Sequence, residues 1–336
     1  MKPLWRIADT LGSHRRLLAL AISVIGLAII LQTARGFDVT AVESKQTKSL
    51  NLVLRDRIPA PGDNGRFEVR ERAEGWDPPK TAIIICDMWD LHHCKRAVQR
   101  VKEMAPRMNK VIAKAREQGV LIIHAPSSCM EAYEKTPMRH RAKSAPRAKN
   151  LPKDIGTWCK SIPAEEKGRY PIDQSDGGED DEPAEHAKWV AELTSLGRDP
   201  KAPWKSQIDV LKMEEQDAVS DSGVEIWNLL QERGIDNVIL MGVHTNMCVL
   251  GRPFGLRQMA KNGKHVVLMR DLTDTMYNPA RWPHVSHFRG TDLIVEHIEK
   301  FVCPTITSDQ ILGGKPLRFK DDSRQTEASR KVDTSR

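Results

Sequence analysis

Residues 238–274 read VILMGVHTNMCVLGRPFGLRQMAKNGKHVVLMRDLTD. The stretch begins in an apolar run with β-branched residues (237–243), as expected of a strand buried on both faces. A short polar turn follows, with Cys248 at its far end, then a helical pattern over 248–261 and a second apolar strand over 265–271. A strand, a turn, a helix and a further strand in that order describe a parallel crossover unit. Cys248 at that turn is a small buried residue, half of a disulfide, a metal ligand or a nucleophile, and the rest of the chain has to decide.

The same rhythm extends upstream. TAIIICD (81–87) and VLIIHA (120–125) read as buried strands, with helical spacing over 95–117 between them and Gly119 as its stop. SQIDVLK (206–212) reads as another strand, 221–233 as a helix capped by Asp221 or Ser222, and 290–300 as a last helix. The expected fold class is α/β, three layers with a mostly parallel sheet between helices. Residues 37–79 are polar and read as a linker with one short strand at 50–54. Residues about 130–205, rich in Pro, Lys and Glu, read as a long insertion, and 306–336 as a basic, disordered tail.

The formal charge of +7 is concentrated at the ends: residues 1–20 and residues 315–336 each carry a net +3, leaving the body near neutral. A nucleic-acid binder carries its basic footprint on the folded body, so that class is excluded as an expectation. Two arginines precede an apolar run over 17–31, the pattern of an export signal, with an uncleaved membrane anchor as the alternative. Export permits disulfides, and Cys94 and Cys129, which follow the first two strands on one side of the sheet, are a candidate pair. No CxxC spacing exists among the six cysteines, which argues against a structural zinc knuckle.

In parallel sheets, ligands bind beyond the carboxyl ends of the strands. The polar residues there are Asp87, His124, Lys212, His244 with Cys248, and Asp271. A cysteine at a helix start beside a lysine favours its thiolate. A nearby carboxylate can take the thiol proton and return it to a leaving group, and the N–H groups of the turn can hold an oxyanion. Asp87, Lys212 and Cys248 therefore form a candidate set for amide cleavage. Trp89, Asp90, His92 and His124 are expected to line the pocket. Asp90, His92 or His93 and His124 are also a candidate zinc set. The acidic run 176–182 does not fit a calcium loop and reads as a solvated loop.

GVHTNMCV (242–249) resembles the G-V-x-T-x-x-C-V signature of the isochorismatase-like cysteine hydrolases, which include nicotinamidases and N-carbamoylsarcosine amidohydrolases. IIICDMWD resembles the family's first-strand motif, and the segment from Lys212 to Cys248 resembles its lysine-to-cysteine segment, all in the family's order. The resemblance covers about 80–303, without much of the insertion. It implies Asp87, Lys212 and Cys248 as the catalytic set, a cis peptide bond between Val243 and His244, and an oxyanion hole from the N–H groups of His244 and Cys248. It also implies a small-molecule amide or carbamoyl substrate and a homo-oligomer. The first motif departs from the family's Gln-Asn-Asp-Phe continuation, reading DMWDLHHC, and the Asp-x-His metal motif is missing after the second strand. Isochorismatases proper act on a vinyl ether and lack the cysteine, so Cys248 argues against that reaction.

Overall fold

A computed structural model describes residues 49–62 and 65–323. The expected export segment and the last part of the basic tail lie outside them. One eight-stranded sheet organises the described chain, in the order β2-β1-β8-β7-β6-β3-β4-β5. Strands β3 (Thr81–Cys86), β4 (Leu121–Ala125), β5 (Ala218–Val219), β6 (Asn237–Val243), β7 (His265–Asp274) and β8 (Thr305–Ile306) run parallel. The α/β fold class is the one read from the sequence.

The alternation of side chains along β3 explains the layers. Ile83 and Ile85 face α1 (Lys95–Glu117), meeting its buried stripe Val101, Met104, Met108, Val111 and Ile112. Ala82, Ile84 and Cys86 face the other layer, built from α4 (Gly223–Glu232), α5 (Leu256–Lys261) and α6 (His287–Phe301). Two further helices, α2 (Pro137–Ser144) and α3 (Pro183–Ser195), come from the insertion, and a short helix, α7 (Asp309–Leu312), is the last among the described residues. Among the described residues no helix is long and apolar enough to cross a membrane.

Five readings of the sequence need correction. Residues 37–48 of the expected linker lie outside the described residues, and the rest is largely a hairpin: β1 (Leu50–Pro59) and β2 (Phe67–Trp76) pair antiparallel over ten residues and extend the sheet through β8. Its charged outward face hid it, since β1 buries only Leu50, Leu52, Leu54 and Asp56, and β2 only Trp76. The insertion is folded: Ile155, Ile172, Trp189 and Leu193 are core residues. The tail folds back as far as residue 320, where Leu317 and Phe319 pack on the core and Asp271 accepts the N–H groups of Ser308 and Leu317. Asp271 is therefore a tail anchor, and β7 continues past it to Asp274.

The fourth is the expected strand at 206–212, which forms turns with an isolated bridge from Gln207 to Trp89. The sheet edge is taken instead by β5, six residues further on. The acidic run is also structural. Asp181 accepts the N–H groups of Lys95 and Arg96 at 2.6 and 2.9 Å, capping the positive end of α1. Asp180 is buried against Arg100.

Candidate active site

The site sits at the carboxyl ends of β3 and β6. Gly242 makes the junction possible: at φ +112 its backbone approaches Cys86 so closely that a Cβ would lie 2.1 Å from the Cys86 carbonyl oxygen. The next peptide bond, Val243–His244, is cis, as the resemblance implied. Residues Thr245–Val249 form one π-helical turn, in which the His244 carbonyl accepts the N–H groups of Met247 and Val249. The turn is tied to β7: the Thr245 hydroxyl bonds Thr273 and the Asp274 carbonyl, and Asn246 brackets the backbone of Met276. The helix expected over 248–261 is broken at Pro253 and resumes only as α5.

Asp87 and Cys248 come together as expected. Asp87 has positive φ (+47) and is fully buried, and its Oδ1 accepts the Ser127 N–H at 2.8 Å. The Cys248 thiol lies near enough to the Asp87 carboxylate for the two to interact electrostatically. Burial raises the Asp87 carboxyl above the usual range, against the pull of Arg252. Burial also pushes the Cys248 thiol well up, and the Asp87 charge adds to it. Burial and the Asp87 charge thus favour the thiol over the expected resting thiolate, with a proton acceptor alongside.

Lys212 is not in the site. It is exposed in the turn region, its Nζ donates to the Asp209 carbonyl at 2.8 Å, and its N–H is held by Asn109 of α1. The cation beside Asp87 and Cys248 is Arg252, which sequence reasoning missed. Its Nε and Nη2 both lie 3.2 Å from Asp87 Oδ2, and its charge acts on the nearby Cys248 sulfur. Its place four residues after Cys248 was the available signal, because i and i+4 share a face in the first helical turn. From the outer side its guanidinium packs 4.8 Å from the Trp158 ring of the insertion.

The other candidates divide. Trp89 stacks on Trp204 of the insertion at 4.6 Å, and His92 lies edge-on to His244 at 4.8 Å. Trp89, His92 and His244 line a cavity of about 10 Å³ beside Asp87. A larger cavity of about 350 Å³ lies far from this chemistry, between the hairpin and the start of β7. Asp90 pairs with Arg198 and caps the backbone of Leu91 and Lys205, so it holds the insertion in place. His124 is fully buried with its ring nitrogens on Gln207 and Asp217, and does not line the pocket. The zinc set Asp90, His92 or His93, and His124 therefore does not converge. Cys94, Glu179 and Asp181 place ligand-type atoms within 4.8 Å of one another, but Asp181 is occupied in capping α1. All six cysteines are free, so Cys94 and Cys129 are not paired; the Cys94 thiol donates to Asp180.

The sequence model of the isochorismatase domain matches residues 81–285. That match spans more than half of the 336 residues, and the chain belongs to the isochorismatase family of hydrolases. Among solved structures it is similar to a cysteine hydrolase from Pseudomonas syringae pv. phaseolicola 1448A (16% identity, 70% of this chain and 93% of that one, TM-score 0.42). It is also similar to the N-carbamoylsarcosine amidase of Thermoplasma acidophilum (15%, 68% and 97%, 0.37). A third is the zinc complex of the pyrazinamidase of Pyrococcus horikoshii (16%, 68% and 99%, 0.37). No curated protein sequence matches the chain.

Proposed function

We propose that this protein is an exported cysteine hydrolase that cleaves a C–N bond of a small amide or carbamoyl-type substrate through a covalent intermediate on Cys248. The observation that carries the reading is the placement of Cys248, on the turn after β6, beside one buried carboxylate, Asp87, which Arg252 holds at 3.2 Å. As the sulfur attacks the carbonyl carbon, Asp87 takes the thiol proton and then gives it to the leaving nitrogen. The N–H groups of His244 and Cys248 face the oxygen that becomes negative. Arg252 offsets the negative charge that Asp87 and the sulfur share. These steps use groups of the chain alone.

Ammonia release from a panel of primary amides and N-carbamoyl amino acids tests the reading. Turnover should fall in step with alkylation of Cys248 by iodoacetamide, located by peptide mass. Ammonia release that persists after complete alkylation of Cys248 would refute it. A second reading, a non-catalytic binding member of the fold, has one observation in its favour: Trp89 and Trp204 leave little room beside Asp87. An intact, labelled protein without turnover on any amide would favour that alternative.

Export and self-association belong to the same proposal. The basic and apolar pattern of residues 1–31 supports export, and the open edge of β2 leaves a surface for a second copy. Cell fractionation of the full chain should place it outside the cytoplasm, and light scattering of the purified protein should give more than one chain's mass. Cytoplasmic recovery or a monomer would overturn the respective part.

A further inference from the structure

The small cavity beside Asp87 is unlike the rest of the core. Ala97, Val98 and Val101 of α1, with Val243 and Trp89, make its walls apolar, yet Asp87, His92 and His244 also face it. Its volume of about 10 Å³ is that of one water-sized sphere. His244 is 2% exposed, and its Nε2 has no hydrogen-bond partner among the described residues. A buried polar atom left in that state is costly, so a partner is called for.

The other two polar groups define what that partner is. His92 Nδ1 accepts the Cys94 N–H at 3.2 Å, and burial with neighbouring positive groups keeps the ring neutral. A neutral imidazole accepting at Nδ1 carries its hydrogen at Nε2, which makes His92 a donor. Asp87 is an acceptor when ionised. Burial pushes His244 down to about 3, so it too is neutral at ordinary pH and offers a lone pair or an N–H according to its tautomer. A one-atom polar molecule that both donates and accepts suits this set, and the cavity has no room for a larger one.

We propose that this cavity seats the water that hydrolyses the acyl-enzyme, with His92 and His244 as the residues that position it beside Asp87. The inference rests on the covalent reading of Cys248 given above. The water oxygen bonds to the thioester carbonyl carbon while Asp87 takes one of its protons. The tetrahedral adduct then collapses with cleavage of the C–S bond. Asp87 returns the proton to sulfur, leaving a carboxylic acid and the free Cys248 thiol. Acylation does not need this water, so the two half-reactions separate the positioning role from a merely structural one.

The test uses the full chain and p-nitrophenyl acetate, a generic acylating ester. The burst of p-nitrophenol reports acylation, and loss of the acetyl group from Cys248, followed by peptide mass, reports deacylation. Ala97→Val and Val98→Ile each fill the seat from the apolar side. Both are expected to keep a burst of about one per chain and to deacetylate at least about tenfold more slowly, at the low end of general-base effects. A normal burst with unchanged deacetylation in both variants overturns the water seat. A wild-type chain that never forms acetyl-Cys248 overturns the nucleophile itself, and this inference with it.

Discussion

Cys248→Ala is expected to lower turnover of the amide found in the panel by at least about 10³-fold, and Asp87→Asn by a comparable factor. The two groups act as a unit: without the carboxylate the thiol keeps its proton, and without the sulfur the carboxylate has nothing to activate. The double variant should therefore be little worse than either alone. Arg252→Gln should cost about 10–100-fold, with part of the rate restored by Arg252→Lys, because one positive charge is retained but the fork onto Asp87 Oδ2 is lost. Lys212→Ala should stay within about twofold of wild type, since Lys212 is exposed and its Nζ bonds only the Asp209 carbonyl of its own turn. The measurement is kcat/KM for each variant, with circular dichroism to show that the fold survives. A loss in Lys212→Ala equal to that in Arg252→Gln would overturn the assignment of the cation.

Asp87 and Cys248 were legible because each follows an apolar run that reads as a buried strand: Asp87 directly after β3, Cys248 at the far end of the short turn after β6. Lys212 failed for the opposite reason. Its strand was inferred from Ile208, Val210 and Leu211, three apolar residues that also fit a covering turn. In the fold, Ile208 and Leu211 bury under that turn while Val210 is exposed. A period of two over six residues does not distinguish these outcomes; the sheet edge was settled by β5, only two residues long.

The contribution of the insertion was illegible for a related reason. Trp158, Arg198 and Trp204 reach the site from segments with no regular periodicity, and long-range pairings such as Arg198 with Asp90 leave no local pattern. The acidic run shows the limit most clearly. Glu179, Asp180, Asp181 and Glu182 look alike in sequence, yet Asp180 is buried, Asp181 caps α1, and Glu179 pairs with His186. Composition supports a solvated loop; only the fold shows that α1 and α6 present Arg100 and His287 to it.

That buried cluster carries the largest expected effect on stability. Arg100 donates to Asp180 at 2.9 Å and to Asp274 at 2.7 Å, and His287 reaches Asp274 at 2.8 Å and Asp180 at 3.2 Å. Both ring nitrogens of His287 face acceptors, so the imidazolium is the form the cluster holds. Asp274 and Asp180 raise the group from 6.5 to about 9 against its burial. The two carboxyls are held well below their usual range by Arg100 and His287, again against burial. Arg100→Met leaves two buried carboxylates sharing one histidine and should destabilise the fold by about 3–5 kcal/mol. The pH dependence has two limits of opposite sign. The carboxylates contribute fully above about pH 4, and that part is lost as pH falls through their lowered values. The His287 contribution is fully present below about pH 6.5 and is lost as pH rises through about 9. At pH 9.5 the wild-type chain should have lost about 3 kcal/mol relative to pH 6, from the size of that shift. His287→Gln, which cannot take the charge, should be less stable at pH 6 and nearly flat over the same interval. Denaturant midpoints at the two pH values measure both curves. A wild-type midpoint that does not move, or a variant that follows the wild-type slope, would mean that His287 is neutral in the fold and that Arg100 alone balances the two carboxylates.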